Sequence, residues 1–169
     1  QMDLCAMCHG GNDWMKTESR FKFRPGDSLM KFYLPLSSAP KKQPDVHGNQ
    51  YRLLIESKCY LESKNLTCIT CHSPHQKDHG NMQTYATICK NCHQPSKEKF
   101  CPKAGADLVN LGDKCIDCHM PGQNSEAITF YAKTASNKVS YILRTHRIAV
   151  YDQQPDSLRA SVLRKFSSL

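Results

Sequence analysis

The chain has 169 residues, a formal charge of +8 from 23 Lys and Arg against 15 Asp and Glu, 39% hydrophobic residues and ten cysteines. That length suits one domain or two small ones, yet the apolar content is low for a self-sufficient side-chain core. No stretch approaches the ~20 apolar residues that cross a bilayer, so no transmembrane segment is expected, and no reader motif accompanies the positive charge, which excludes nucleic acid as a partner.

In chain order, the first motif is Cys5-Ala6-Met7-Cys8-His9. No basic stretch followed by an apolar run precedes it, and a first cysteine so early leads us to expect the mature or C-terminal part of a longer protein. Residues 1–45 form an irregular first segment, with an extended piece running into a turn over 21–27 and a loop over 37–42. From His47 to Leu61, apolar Tyr51, Leu54, Ile55 and Leu61 fall at helical intervals and predict one helix. Cys68-Ile69-Thr70-Cys71-His72 follows, then a helix over 82–93 carrying Cys89-Lys90-Asn91-Cys92-His93. Another helix over 113–119 delivers Cys115-Ile116-Asp117-Cys118-His119 and is stopped by Pro121 and Gly122. Segments 127–132 and 148–151 read as a small strand pair. Beyond a packed region over 46–151, Leu158, Val162, Leu163 and Phe166 form the apolar stripe of a C-terminal helix within 152–169. The expected fold is one domain, mostly α with much irregular structure.

Cys-x-x-Cys-His thus occurs four times, where chance would produce about 0.03 copies. On a helical turn, residues three and four apart share a face, so two thiols can reach the two vinyl groups of one porphyrin while the next residue, His, points at its iron. A zinc site or a redox dithiol also uses Cys-x-x-Cys, but neither requires His directly after the second cysteine. The motifs therefore predict four covalently attached haems c, with Cys5, Cys8, Cys68, Cys71, Cys89, Cys92, Cys115 and Cys118 as attachment points and His9, His72, His93 and His119 as proximal ligands. The haems would fill the middle that the side chains cannot. Their propionates add about −8 charges, so most of the positive excess reads as compensation. Haem is joined to such motifs outside the cytoplasm, which predicts a periplasmic or extracellular location. In that oxidising setting the two remaining cysteines, Cys59 and Cys101, are expected to form a disulfide, against the plainer reading of two buried thiols.

Eight histidines are present, and those outside the motifs are His47, His75, His79 and His146. Two per iron would consume the full set, giving bis-His haems of lower potential than Met/His ones. His75 stands too close to His72 to reach the other side of the same iron, because three residues span at most ~11 Å. It would serve a neighbouring haem. Met82 and Met120 are the nearest thioether alternatives if His79 is not a ligand.

The run Cys71-His72-Ser73-Pro74-His75, the ending Cys118-His119-Met120-Pro121 and the intervening 85–93 resemble the multihaem cytochromes related to pentahaem nitrite reductase and hydroxylamine oxidoreductase. The resemblance covers roughly residues 45–151. It implies haems packed in stacked and perpendicular pairs, with His75 and His146 resembling distal ligands. No Cys-x-x-Cys-Lys site is present, so the lysine-ligated catalytic haem of the nitrite reductases has no counterpart, and no catalytic residue is assigned. The expected role is electron transfer with redox partner proteins, among them other multihaem cytochromes or copies of the same chain. The alternatives are an oxidoreductase that reduces a small nitrogen or sulfur species at one open haem, and a haem-chain subunit of a larger respiratory complex or cytochrome filament.

Overall fold

The computed structural model describes residues 2–11, 14–35, 50–63, 65–77, 80–94, 96, 100–107, 111–131 and 138–151. His47 and His79, the expected loop at 37–42 and the expected C-terminal helix lie outside the described residues.

Helix α1 (Met2–His9) contains the first motif, with Asp3 in its first turn and His9 in its last, as the helix dipole favours. Its last backbone bond runs from the Gly10 N–H to the Ala6 carbonyl at 2.8 Å, and Gly11, at φ 77°, turns the chain away. A Cβ on Gly10 would lie 2.4 Å from that carbonyl oxygen and 2.9 Å from Trp14 Nε1, so only glycine admits the indole here. Trp14 opens β1 (Trp14–Lys16), which pairs antiparallel with β2 (Tyr33–Pro35). Between them, 21–27 is not an extended piece. It is a 3₁₀ turn at Arg20–Lys22 followed by a tight turn in which Gly26 takes φ of 105°. A second 3₁₀ turn, Leu29–Lys31, packs against α1 and buries Leu29. The first segment is therefore more regular than its sequence led us to expect.

The single helix expected over His47–Leu61 is two helices among the described residues, α2 (Gln50–Ile55) and α3 (Lys58–Glu62). Ser57 separates them in extended backbone, φ −75° and ψ 144°. Its buried hydroxyl donates to the Leu54 carbonyl at 2.7 Å and accepts from the Tyr60 N–H at 3.3 Å. One side chain thus satisfies the end of one helix and the start of the next. Further on come α4 (Cys68–Cys71), α5 (Met82–Cys92), α6 (Pro102–Ala106) and α7 (Cys115–His119). Asn81 caps α5 by accepting from the Thr84 N–H at 3.1 Å. Helix α1 packs on α2, and α5 packs on both α4 and α7.

The mostly α architecture is corrected by the C-terminal half. Strand β3 (Gly122–Tyr131) pairs antiparallel with β4 (Lys138–Arg144), from Gly122↔Arg144 to Tyr131↔Lys138, with a register shift between Asn124 and Thr129. The fold is mixed, with helices and two small antiparallel sheets. The strand partner expected at 148–151 is also corrected, since those residues are not in a strand. Ile128, Thr129, Phe130 and Tyr131 have a nearer match in Val139, Tyr141 and Ile142, which are equally β-branched or aromatic. Local pairing closes a shorter loop and prevails.

The apolar core is thin. Among the described residues, buried hydrophobics are Ala6, Leu29, Phe32, Leu54, Ala86, Ala104 and Ile116, while Phe21, Leu61, Tyr131 and Val150 are exposed. No helix of the described residues is long and apolar enough to cross a membrane.

Candidate haem-attachment site

Each Cys-x-x-Cys-His motif adopts the helical turn that its spacing predicts. In the second and third, the histidine is the residue that ends the helix, and its N–H donates to the carbonyl of the first cysteine: His72 to Cys68 at 3.0 Å and His93 to Cys89 at 2.9 Å. In the first and fourth, the helix runs one residue further, so that Gly10 and Met120 close on Ala6 and Ile116. Both arrangements put the two sulfurs and the imidazole on neighbouring positions of one turn.

Packing then brings sulfurs of different motifs together. The Cys89 and Cys115 sulfurs lie within hydrogen-bonding reach, which raises the first and lowers the second to about 6. The Cys68 thiol is pushed up to about 11, first by burial and then by the adjoining Cys5 sulfur. Cys71 lies near enough to Cys89 for their charges to interact. The four motifs therefore form one cluster, ordered first to second, second to third and third to fourth.

The expected disulfide is corrected. Cys59 and Cys101 are both free thiols. Cys59 on α3 lies among the motif sulfurs, with Cys71, Cys89 and Cys92 in electrostatic range. Cys101 instead occupies the N-cap position of α6. Helix geometry commits the two cysteines to different surroundings, whereas a bridge requires their Cα atoms within about 7 Å.

The histidines are oriented by contacts from the C-terminal segment. His119 Nδ1 meets the Ala149 carbonyl at 2.9 Å, so Nδ1 carries the proton and Nε2 the lone pair. The Ala149 N–H returns a bond to the His119 carbonyl at 3.3 Å. Arg144, at the end of β4, donates from Nη1 to the Ile116 and Met120 carbonyls at 3.4 and 3.2 Å and from Nη2 to Asp117 at 2.6 Å. It covers the Met120 carbonyl beyond the end of α7 and adds a second donor to the Ile116 carbonyl, which already accepts from the Met120 N–H. Lys90, inside the third motif, pairs with Asp113 just ahead of the fourth.

His146 is half-buried, and its Nδ1 lies 2.7 Å from Gln50 Oε1. Its ring neighbours that of His72, with centroids 5.9 Å apart and planes tilted by 34°. Tyr85 packs edge-on against the other side of His72 at 5.6 Å. Burial foremost, then the neighbouring His72, pushes the His146 imidazole down to about 4.

No family model, curated protein or solved structure matches this chain.

Of the sequence candidates, His72 and His146 are brought together, while His119 is braced separately by 144–149. His75 is exposed in the turn after the second motif, where its backbone N–H donates to Ser73 at 3.3 Å. Met82 begins α5, and Met120 follows α7. Sequence reasoning missed Gln50, Arg144 and the role of Tyr85. Tyr85 had a local signal, because it stands four residues before Cys89 and so shares its helix face. Gln50 and Arg144 had none, since their partners are distant in sequence.

The residues present fit haem c. Two thiols and a terminal imidazole recur on each helical turn, His119 and His146 hold Nδ1 against acceptors as ligating histidines do, and the thin side-chain core matches a chain organised around large apolar groups.

Proposed function

We propose that this chain carries four covalently attached haems c and transfers electrons outside the cytoplasm. The observation that carries the reading is the gathering of four Cys-x-x-Cys-His turns into one cluster, with Cys68 beside Cys5 and Cys89 beside Cys115. When bound, haem supplies a reversible one-electron iron couple. The chain's own residues do the rest. Cys5 with Cys8, Cys68 with Cys71, Cys89 with Cys92 and Cys115 with Cys118 would hold the four groups, and His9, His72, His93 and His119 would ligate them. The contacts of α5 with α4 and α7 keep neighbouring sites close, and the Lys90–Asp113 pair fastens the third to the fourth. The resemblance to multihaem cytochromes agrees with this reading, and partners would be redox proteins or copies of the chain.

The test is expression with a haem-attachment system in the periplasm of a bacterial host, followed by intact mass and redox titration. Four haems per chain and a reversible four-electron titration are expected. A chain that matures without haem and instead retains zinc would overturn the reading.

A further inference from the structure

The neighbouring rings of His72 and His146 have a separation that carries chemical information. Two imidazoles bound end-on to one metal from opposite sides, with nitrogens about 2 Å from it, have ring centroids about 6.4 Å apart. The observed 5.9 Å lies within about half an ångström of that separation. A second, independent feature concerns which nitrogen of His146 is free to bind. Gln50 Oε1, 2.7 Å away, is an acceptor for Nδ1–H, and a neutral imidazole protonated at Nδ1 keeps its lone pair on Nε2. His146 is also fixed in place from its N-terminal side. Arg144 is tied to α7, and the Thr145 N–H donates to the Pro121 carbonyl at 3.3 Å. On the opposite side, His72 directly follows Cys71, and Tyr85 braces its ring.

We propose that His72 and His146 are the two axial ligands of a single haem, the one tethered by Cys68 and Cys71, and that Gln50 is the positioning residue that presents His146 Nε2 to its iron. The assignment rests on the haem reading above. It closes that site to small ligands on both faces, and it links the second motif to the segment beyond the fourth. Gln50 also tunes the site. A stronger acceptor at this position gives His146 more imidazolate character and stabilises the oxidised iron, while a non-acceptor does the reverse.

The experiment uses the full haem-loaded chain. Mass spectrometry first counts haems, and a wild-type chain short of four defeats the haem reading itself. With four attached, His146→Ala is expected to convert one haem to high spin in the paramagnetic resonance spectrum. In a Cys68→Ser/Cys71→Ser chain, which lacks the second haem, adding His146→Ala is expected to produce no new high-spin signal. A new signal there would mean that His146 serves another iron and would overturn the pairing. His146→Met preserves six-coordination and keeps the question open to measurement if the alanine variant does not fold: it should raise the potential of one haem, and four unchanged potentials would overturn the pairing. Gln50→Glu should lower, and Gln50→Leu raise, the potential of that same haem with the other three unmoved. Identical potentials in wild type and both Gln50 variants, or a uniform shift of all four, would remove Gln50 from the positioning role.

Discussion

At the scale of single residues, cysteine accounting has a direct outcome. Eight thiols belong to the motifs, and Cys59 and Cys101 are free. Thiol titration of the denatured, unreduced, haem-loaded chain is expected to find two reactive groups, and finding none would restore the bridge. His146 gives a pH dependence. Its imidazole is pushed from 6.5 down to about 4, foremost by burial, so the unfolded chain takes up a proton at a pH where the folded chain does not. This contribution to stability is complete above 6.5 and is lost as pH falls toward 4. Denaturant unfolding of the haem-free chain at neutral pH and at about pH 5 should show lower stability in acid, and His146→Phe should flatten that difference. An unchanged acid slope in the variant would mean that another group is responsible. The signals at this scale were unevenly legible. The helical turn of each Cys-x-x-Cys-His was legible from spacing alone, because its residues are joined by local backbone bonds. The fate of Cys59 and Cys101 depends on where α3 and α6 are packed, which spacing does not encode.

Among the elements, α7 depends on a residue from outside it. Arg144→Met keeps the aliphatic stem but removes the donors that reach the Ile116 and Met120 carbonyls and Asp117. The side chain is 31% exposed and Asp117 49%, so water replaces part of what is lost. A destabilisation of about 1 kcal/mol is expected in chemical denaturation, with accelerated amide exchange localised to 115–120. Exchange that remained slow there would show that the helix end is held by other means. Helices over 82–92 and 115–119 were legible within two residues, because apolar periodicity and the proline stop are local signals. The break at Ser57 was not legible, since Tyr51, Leu54, Ile55 and Leu61 keep a helical rhythm across it and only the serine's burial and double hydrogen bond reveal the interruption. The hairpin of β3 and β4 was half legible. Its first strand showed in 127–131, but the choice of 138–144 as partner lies in register, and the shift between Asn124 and Thr129 disturbs the alternation that would have revealed it.

For the whole molecule, the proposed haems would link charge to redox state. The polypeptide carries +8, four haems would contribute about −8 from propionates, and four ferric irons would return about +4. The oxidised protein is therefore expected to be mildly cationic and the reduced protein close to neutral. Cation-exchange chromatography under oxidising and reducing conditions should show weaker retention after reduction, and equal retention would indicate that proton uptake offsets the electrons. The bond between Gln50 and His146 joins residues 96 positions apart, and it has a kinetic consequence. Closing so long a stretch of chain is slow in entropic terms, whereas each motif turn closes over four residues. The turns should form early and the distant histidine should arrive last, after the rate-limiting barrier has been crossed. His146→Ala should therefore quicken unfolding while leaving refolding nearly unchanged in stopped-flow measurements, and a matching slowdown of refolding would place that contact in the nucleus. A chain emerging from its N-terminus would thus expose every motif cysteine before its last long-range clasp is fastened, so the order of synthesis would itself hold the fold open for the proposed attachment of haem.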